Sequence, residues 1–319
     1  MVWNVWNQGP EAFDKGENSF ITFITRLFEN RSPFVDDDDD DDDEKWRQAM
    51  TALGLRTDVQ DKIMHPAFRE LRLTQSCGYW CRDTVEMRCE ALRYTQKPRE
   101  HSRRASSAPS IFDKCESLTH IAARGTSGHT ALFKDIDEAR ADGFLDVQGS
   151  IQHMSRILSS SPSDFSSDRP LFYFHPELAT AQCYAWYAKQ RGTDETNIMI
   201  VCVAIPNQVL QGLLLTDRAL QRLYWPSEAW KQSVACNRIR HRVPVELCRF
   251  RRATLLIGST AKSKVTGPGG VTEDTVLMMD GQPAVQYAFD GSEEGQDFLK
   301  KSIAQRPYVY QFPKGDRST

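Results

Sequence analysis

The sequence predicts an α+β protein in which a helical amino-terminal region precedes a domain built on split or curved β-structure. Three observations carry this. Apolar residues fall at helical spacing through residues 44–95. From there on strand and helix signals alternate, with a late cluster of strands at Leu255 to Gly258, Val276 to Met279 and Val285 to Phe289. No Gly-x-Gly-x-x-Gly opens a strand-to-helix turn, which argues against a doubly wound parallel sheet.

The chain has 319 residues, 40% of them hydrophobic, enough for a real core. Its formal charge is −3, and setting aside the eight aspartates Asp36 to Asp43 turns that into +5. So mild a balance argues against a dedicated nucleic-acid binder. No apolar run is long enough to span a bilayer, and no basic segment followed by an apolar one opens the chain. The expectation is an intracellular protein, cytoplasmic or nuclear, with no membrane partner. The eight scattered cysteines read as free thiols rather than a disulfide framework. Cys77, Cys81 and Cys89 fit no common zinc spacing and are expected to pack within helices, so no metal is expected.

Residues 1–35 form an amphipathic segment, with Phe20, Ile21, Phe23, Ile24, Leu27 and Phe28 on one helical stripe. Residues 36–43 are the aspartate run, which repels itself and reads as a solvated acidic linker. Residues 44–95 are a helical region, either a small domain or a cap on the α+β domain. Residues 96–110 form a flexible basic Ser/Pro linker, in which Arg103-Arg104-Ala105-Ser106 suits a basophilic kinase. Residues 111–312 form the α+β domain, and 313–319 a tail.

Within that domain Leu118 to Ala123 reads as a short strand ending at Arg124-Gly125-Thr126. Ile136 to Gly143 and Ile151 to Leu158 read as helices, and Leu171 to Phe174 as a buried strand. A helix begins at Pro176 with Glu177 in its first turn. Ile198 to Ile205 is the clearest strand, apolar throughout and ended by Pro206. A helix over Glu293 to Ile303 and an edge strand over Tyr308 to Phe312 close the domain.

No nucleophile elbow, phosphate loop or His-Glu-x-x-His motif is present. Gly267-Pro268-Gly269-Gly270 lacks the helix that a phosphate cradle needs and reads as a turn. The order of short motifs is more informative. Arg124-Gly125-Thr126 ends one strand, Leu171-Phe172-Tyr173-Phe174 forms the next aromatic strand, and a helix with Ala181, Tyr184, Ala185 and Ala188 comes after it. Thr266-Gly267-Pro268 and Val285-Gln286-Tyr287-Ala288-Phe289 come late. Over about residues 115–303 this order resembles the ADP-ribosyltransferase superfamily, in particular its polymerase-like fold and the uncharacterised bacterial and fungal branch. The polymerase-like pattern has His-Gly-Thr at the first strand; here Arg124 replaces the histidine, closer to the arginine-type branch.

The resemblance implies an ADP-ribosyltransferase-like domain with NAD as co-substrate and an unknown protein or small-molecule acceptor. It implies Arg124, Gly125, Thr126, Tyr173 and Tyr184 as cofactor-binding residues and Gln286 at the catalytic position. The chemistry asks for a guanidinium on phosphate, close backbone approach at glycine, an aromatic wall and an anion beside the ribose. Gln286 is neutral and cannot stabilise an oxocarbenium ion by charge; Glu273 and Asp274 lie nearby in sequence, on an expected loop, as acids that could substitute. Two functions stay open: an enzyme that transfers ADP-ribose, and a catalytically silent module of the same fold that binds a nucleotide or a protein partner. An unrelated α/β scaffold is the third. Tyr173 and Tyr184 also read as plain core aromatics, Gln286 as an outward-facing strand residue, and His175 as a helix-entry residue.

Overall fold

The computed structural model describes residues 42–96, 127–215, 219–262, 275–303 and 306–313. Outside them lie the amphipathic segment, most of the acidic run, the basic linker, the expected strand with Arg124-Gly125-Thr126, the Gly267–Gly270 turn, Glu273 and Asp274.

The helical region is a cap of four helices: α1 (Asp43–Ala52), α2 (Thr57–Ile63), α3 (Arg69–Arg72) and α4 (Cys77–Gln96). The acidic linker ends two residues earlier than expected. Asp42 accepts from the backbone N–H of Glu44 at 2.9 Å and of Lys45 at 3.3 Å, and Asp43 opens α1. Carboxylates there satisfy free N–H groups and meet the positive end of the helix dipole. Trp46, Met50, Ile63, Phe68 and Trp80 build the cap's core, and Tyr187, Leu277 and Ala284 of the larger domain join it. The cap is therefore fused to the body by a shared core. Each large side chain buried there contributes about 1.5–3 kcal/mol. Cys77 and Cys81 lie in this core as free thiols, and Cys89 is half-buried in α4.

The body contains β1 (His129–Asp137), β2 (Leu171–Phe174), α5 (Leu178–Arg191), β3 (Ile198–Pro206), α6 (Asn207–Leu215), β4 (Leu220–Leu223) and α7 (Glu228–Arg238). After these come α8 (Cys248–Arg251), β5 (Leu255–Ser259), β6 (Met278–Met279), β7 (Gln282–Pro283), β8 (Val285–Asp290), α9 (Glu293–Ser302) and β9 (Tyr308–Gln311). One sheet has the order β1-β3-β9, a second β2-β8-β5-β4, and β6-β7 is a small ribbon. All these pairings are antiparallel except β4–β5. The architecture of the described residues is a mixed α+β one with several sheets and no barrel. No helix among them is long and apolar enough to cross a membrane.

The two larger sheets touch at one antiparallel bridge, between Phe133 and His175. Phe133 N–H donates to His175 O at 2.7 Å, and His175 N–H to Phe133 O at 2.8 Å. Beyond the bridge β1 stays with β3 while β2 turns to β8, so the β-structure is split there. Helix α5 covers the β1–β3 sheet. Its Ala181, Ala185 and Ala188 pack on Phe133, Ile198, Ile200 and Cys202, and small side chains at that spacing let helix and sheet approach closely.

Two expected helices are absent. The span 136–143 is the end of β1 followed by turns. Glu138 N–H bonds Asn197 O at 2.8 Å, Asp137 accepts from Arg140 N–H at 2.9 Å, and Gly143 has φ +82°, which ends any regular run. The span 151–158 holds only a 3₁₀ turn, Met154–Ile157. Conversely, the sequence pattern does not announce β1, α6, β4 or α7.

Candidate functional site

A cavity of about 180 Å³ lies where the two sheets part, closed on a third side by the cap. Tyr173 reaches it from β2, Tyr184 from α5 and Gln286 from β8; Lys134 and Asp135 border it from β1, and Trp80 and Asp83 from α4. Three of the residues implied by the family resemblance thus meet, although 113 positions separate Tyr173 from Gln286. Arg124, Gly125 and Thr126 lie outside the described residues. His129 is not on this cavity; its Nδ1 is 3.1 Å from Ser127 O.

One wall is saturated with hydrogen bonds. Asp164 is buried, and its Oδ1 accepts from Arg238 Nε at 2.8 Å and pairs with Arg238 Nη2 at 2.7 Å. Its Oδ2 accepts from Ala261 N–H at 2.8 Å and from Gln286 Nε2 at 2.7 Å. Gln286 therefore does not point outward; it is buried, and its amide is committed to a carboxylate. Gly258 lies opposite Gln286 across β5–β8, where an added Cβ would strike the Leu223 carbonyl and the Phe165 ring. Glycine there lets β4 and the Asp164 loop close over the strand. The Tyr173 hydroxyl lies 2.7 Å from Ser163 Oγ and accepts from Phe165 N–H at 3.3 Å. Burial raises the pKa of Tyr173, so its hydroxyl stays protonated.

The opposite wall is not saturated. Burial pushes the carboxyl of Asp135 up to about 6, against the opposing pull of Lys134. Burial lowers Lys134 in turn, and its Nζ donates to Ser159 Oγ at 2.7 Å. His175 is pushed down to about 4, chiefly by burial, so it is neutral at pH 7. Its Nδ1 lies 3.2 Å from the Val285 carbonyl, which can only accept; the proton sits on Nδ1 and Nε2 keeps its lone pair. The ring stacks on Tyr184, with centroids 5.2 Å apart and planes 13° apart. Thr260 borders the cavity, and its buried Oγ1 has no hydrogen-bond partner among the described residues.

The cap side is held by charge. Asp83 Oδ1 accepts from Arg140 Nη1 at 2.6 Å and Asp83 Oδ2 from Arg191 Nη1 at 2.7 Å. Burial would raise Asp83, but the two guanidinium groups outweigh it and hold the carboxyl below its ordinary range. Arg191 also lies over the Trp80 and Tyr187 rings at 4.5 and 4.6 Å.

Sequence reasoning misses Lys134, Asp135 and Thr260, and it assigns Asp164 no role. A usable signal exists for one pair. Lys134-Asp135 interrupts an otherwise strand-like stretch, and a charged pair there needs a solvated or functional surrounding. No family model, curated protein or solved structure matches the chain.

Proposed function

We propose that the chain is an ADP-ribosyltransferase-like binding module that takes the nicotinamide end of NAD between its two sheets and transfers nothing through Gln286. The observation that carries this reading is the meeting of Tyr173, Tyr184 and Gln286 at one cavity, with the Gln286 amide already spent on Asp164. The cavity suits a fragment. Pockets for whole drug-sized ligands run to roughly 300–1,000 Å³, so at about 180 Å³ it admits a pyridine ring and its ribose but not the dinucleotide. Its chemistry suits a cationic aromatic ring: tyrosine faces attract such a ring, Asp135 is an anion above pH 6, and the Thr260 hydroxyl can meet a carboxamide.

One observation favours transfer instead. Asp135 is a carboxylate on the cavity whose charge no hydrogen-bonded cation among the described residues neutralises, the kind of group that stabilises a developing ribosyl cation. Titration calorimetry of the full chain with NAD, followed by assay of free nicotinamide in the same cell, separates the readings. Saturable heat without nicotinamide release is expected. Saturable heat with release sustained over many turnovers supports transfer, and no heat at millimolar NAD removes both.

A further inference from the structure

Lys134 and Ser159 have no part in the binding of nicotinamide proposed above. Lys134 belongs to β1, and Ser159 follows the Met154–Ile157 turn. Ser159 is fixed to the second sheet: its N–H donates to Leu171 O at 2.9 Å, and its carbonyl accepts from Leu171 N–H at 3.3 Å. The two side chains therefore meet across the split between the sheets. Lys134 Nζ lies 2.7 Å from Ser159 Oγ, and both residues border the cavity.

A lysine ammonium out of water ordinarily takes a carboxylate as partner. Here Asp83 is held by Arg140 and Arg191. Asp135 acts on Lys134 through its charge, with no ion pair between them among the described residues. Burial lowers the pKa of the ammonium against the pull of Asp135 and Asp83, and so raises the share of free amine. As the free amine, Nζ accepts the Ser159 Oγ–H over the same 2.7 Å. A hydroxyl within about 2.6–3.2 Å of a base is the arrangement of an activated nucleophile. Lysine is the base in one variant of it, which recurs on unrelated folds and is recognised by geometry, not by sequence position.

We infer that Ser159 is a nucleophile with Lys134 as its general base, and that the pair hydrolyses small carboxylic esters in the cavity. Oγ attacks the ester carbonyl carbon, and its proton passes to Nζ. The ester C–O bond then breaks, and Nζ gives the proton to the departing alkoxide. Water attacks the acyl-serine and loses a proton to Nζ. The C–Oγ bond breaks, Oγ takes that proton, and the carboxylic acid leaves. The ammonium formed in each step lies beside Oγ, next to the developing oxyanion. At about 180 Å³, with Tyr173, Tyr184 and Trp80 on its walls, the cavity suits a short acyl group or a single aromatic ring.

The test uses the full-length protein with a fluorophosphonate and, separately, with p-nitrophenyl acetate. Peptide mass mapping should find the phosphonyl group on Ser159, and p-nitrophenol should be released steadily over many turnovers. Ser159→Ala should lose the label and slow the hydrolysis at least tenfold. Lys134→Arg keeps a donor on Ser159 but cannot act as a base, and it should slow labelling and hydrolysis at least tenfold. Lys134→Met, which fits the same space, is made beside it as a second variant without a base. A wild type that takes no label on Ser159 overturns the inference, as does a folded Ser159→Ala protein that hydrolyses at the wild-type rate. Full labelling of Ser159 in either folded lysine variant also overturns it. The Ser159 label and the Ser159→Ala rate decide the matter whether or not the lysine variants fold. Heat with NAD and label on Ser159 are separate readouts, so the failure of either reading is distinguishable from the failure of the other.

Discussion

The two walls of the cavity use carboxylates in opposite ways. On the wall formed by β8, α7 and the Asp164 loop, Asp164 has both oxygens filled by Arg238, Ala261 and Gln286. On the β1 wall, Asp135 is left with a carboxyl pushed up to about 6, and the neighbouring Lys134 ammonium is turned to Ser159. A buried charge with a full set of donors is part of the scaffold, because removing a partner leaves an uncompensated charge. A half-buried acid without such a set costs stability, and Asp135 lines the cavity. The difference teaches which groups a ligand can recruit. Gln286, at the position where the resemblance implies catalysis, is bonded into the scaffold, while Asp135 borders the cavity without such a set of donors.

The largest expected effect breaks the saturated wall. Asp164→Ala leaves the Arg238 guanidinium buried without its partner and should cost about 3–5 kcal/mol in urea unfolding. A loss under about 1 kcal/mol would mean that this wall is not a scaffold. Gln286→Glu replaces a donor by a second carboxylate against Asp164. Two carboxylates at 2.7 Å cannot both ionise. The variant should lose about 1–3 kcal/mol, more at high pH than at low, and should show no gain in NAD hydrolysis. A stable variant that hydrolyses NAD faster would move the catalytic centre back to this strand.

The smallest effect has the opposite sign. Asp135 has its folded pKa raised from 3.8 to about 6, so the folded state holds its proton more tightly than the unfolded chain does. The cost of ionising it is absent below about pH 4, grows as pH rises, and is complete above about pH 6. Asp135→Asn removes that cost. It should stabilise the protein by about 1–2 kcal/mol at pH 7.5 and by almost nothing at pH 4, the lower part of the range because the cavity leaves Asp135 some contact with water. Unfolding curves at the two pH values check it, and a variant less stable than wild type at pH 7.5 would contradict it.

Much of this arrangement is legible in the sequence, and the misses have physical reasons. The all-apolar run Ile198 to Ile205 and the helix over Glu293 to Ile303 sit where the sequence pattern puts them, because burial on both faces and a Ser292 side chain that accepts from Gly295 N–H are local demands. Strand β1 escapes notice because its Lys134, Asp135 and Asp137 break an apolar pattern; pairing to β3 overrides that local signal. The turns after β1 read as helix because Asp137, Ala139 and Arg140 are acceptable in one, while Gly143 and the Asp137 side-chain bond decide otherwise. Tyr173 and Tyr184 emerge from motif order. Asp164 as the partner of Gln286 does not, since a contact across 122 positions leaves no periodicity to read.

The measurement that bears most directly on the difference between the walls is the affinity of Asp135→Asn for NAD at pH 7.5, by titration calorimetry beside the wild type. Asp135, with its carboxyl pushed up to about 6, is ionised there, and under the proposed reading it faces the cationic pyridinium. The variant should bind at least tenfold more weakly, about 1.4 kcal/mol, while unfolding at a higher urea concentration than wild type. Unchanged affinity in a folded Asp135→Asn protein would contradict the assignment of the β1 wall to the ligand.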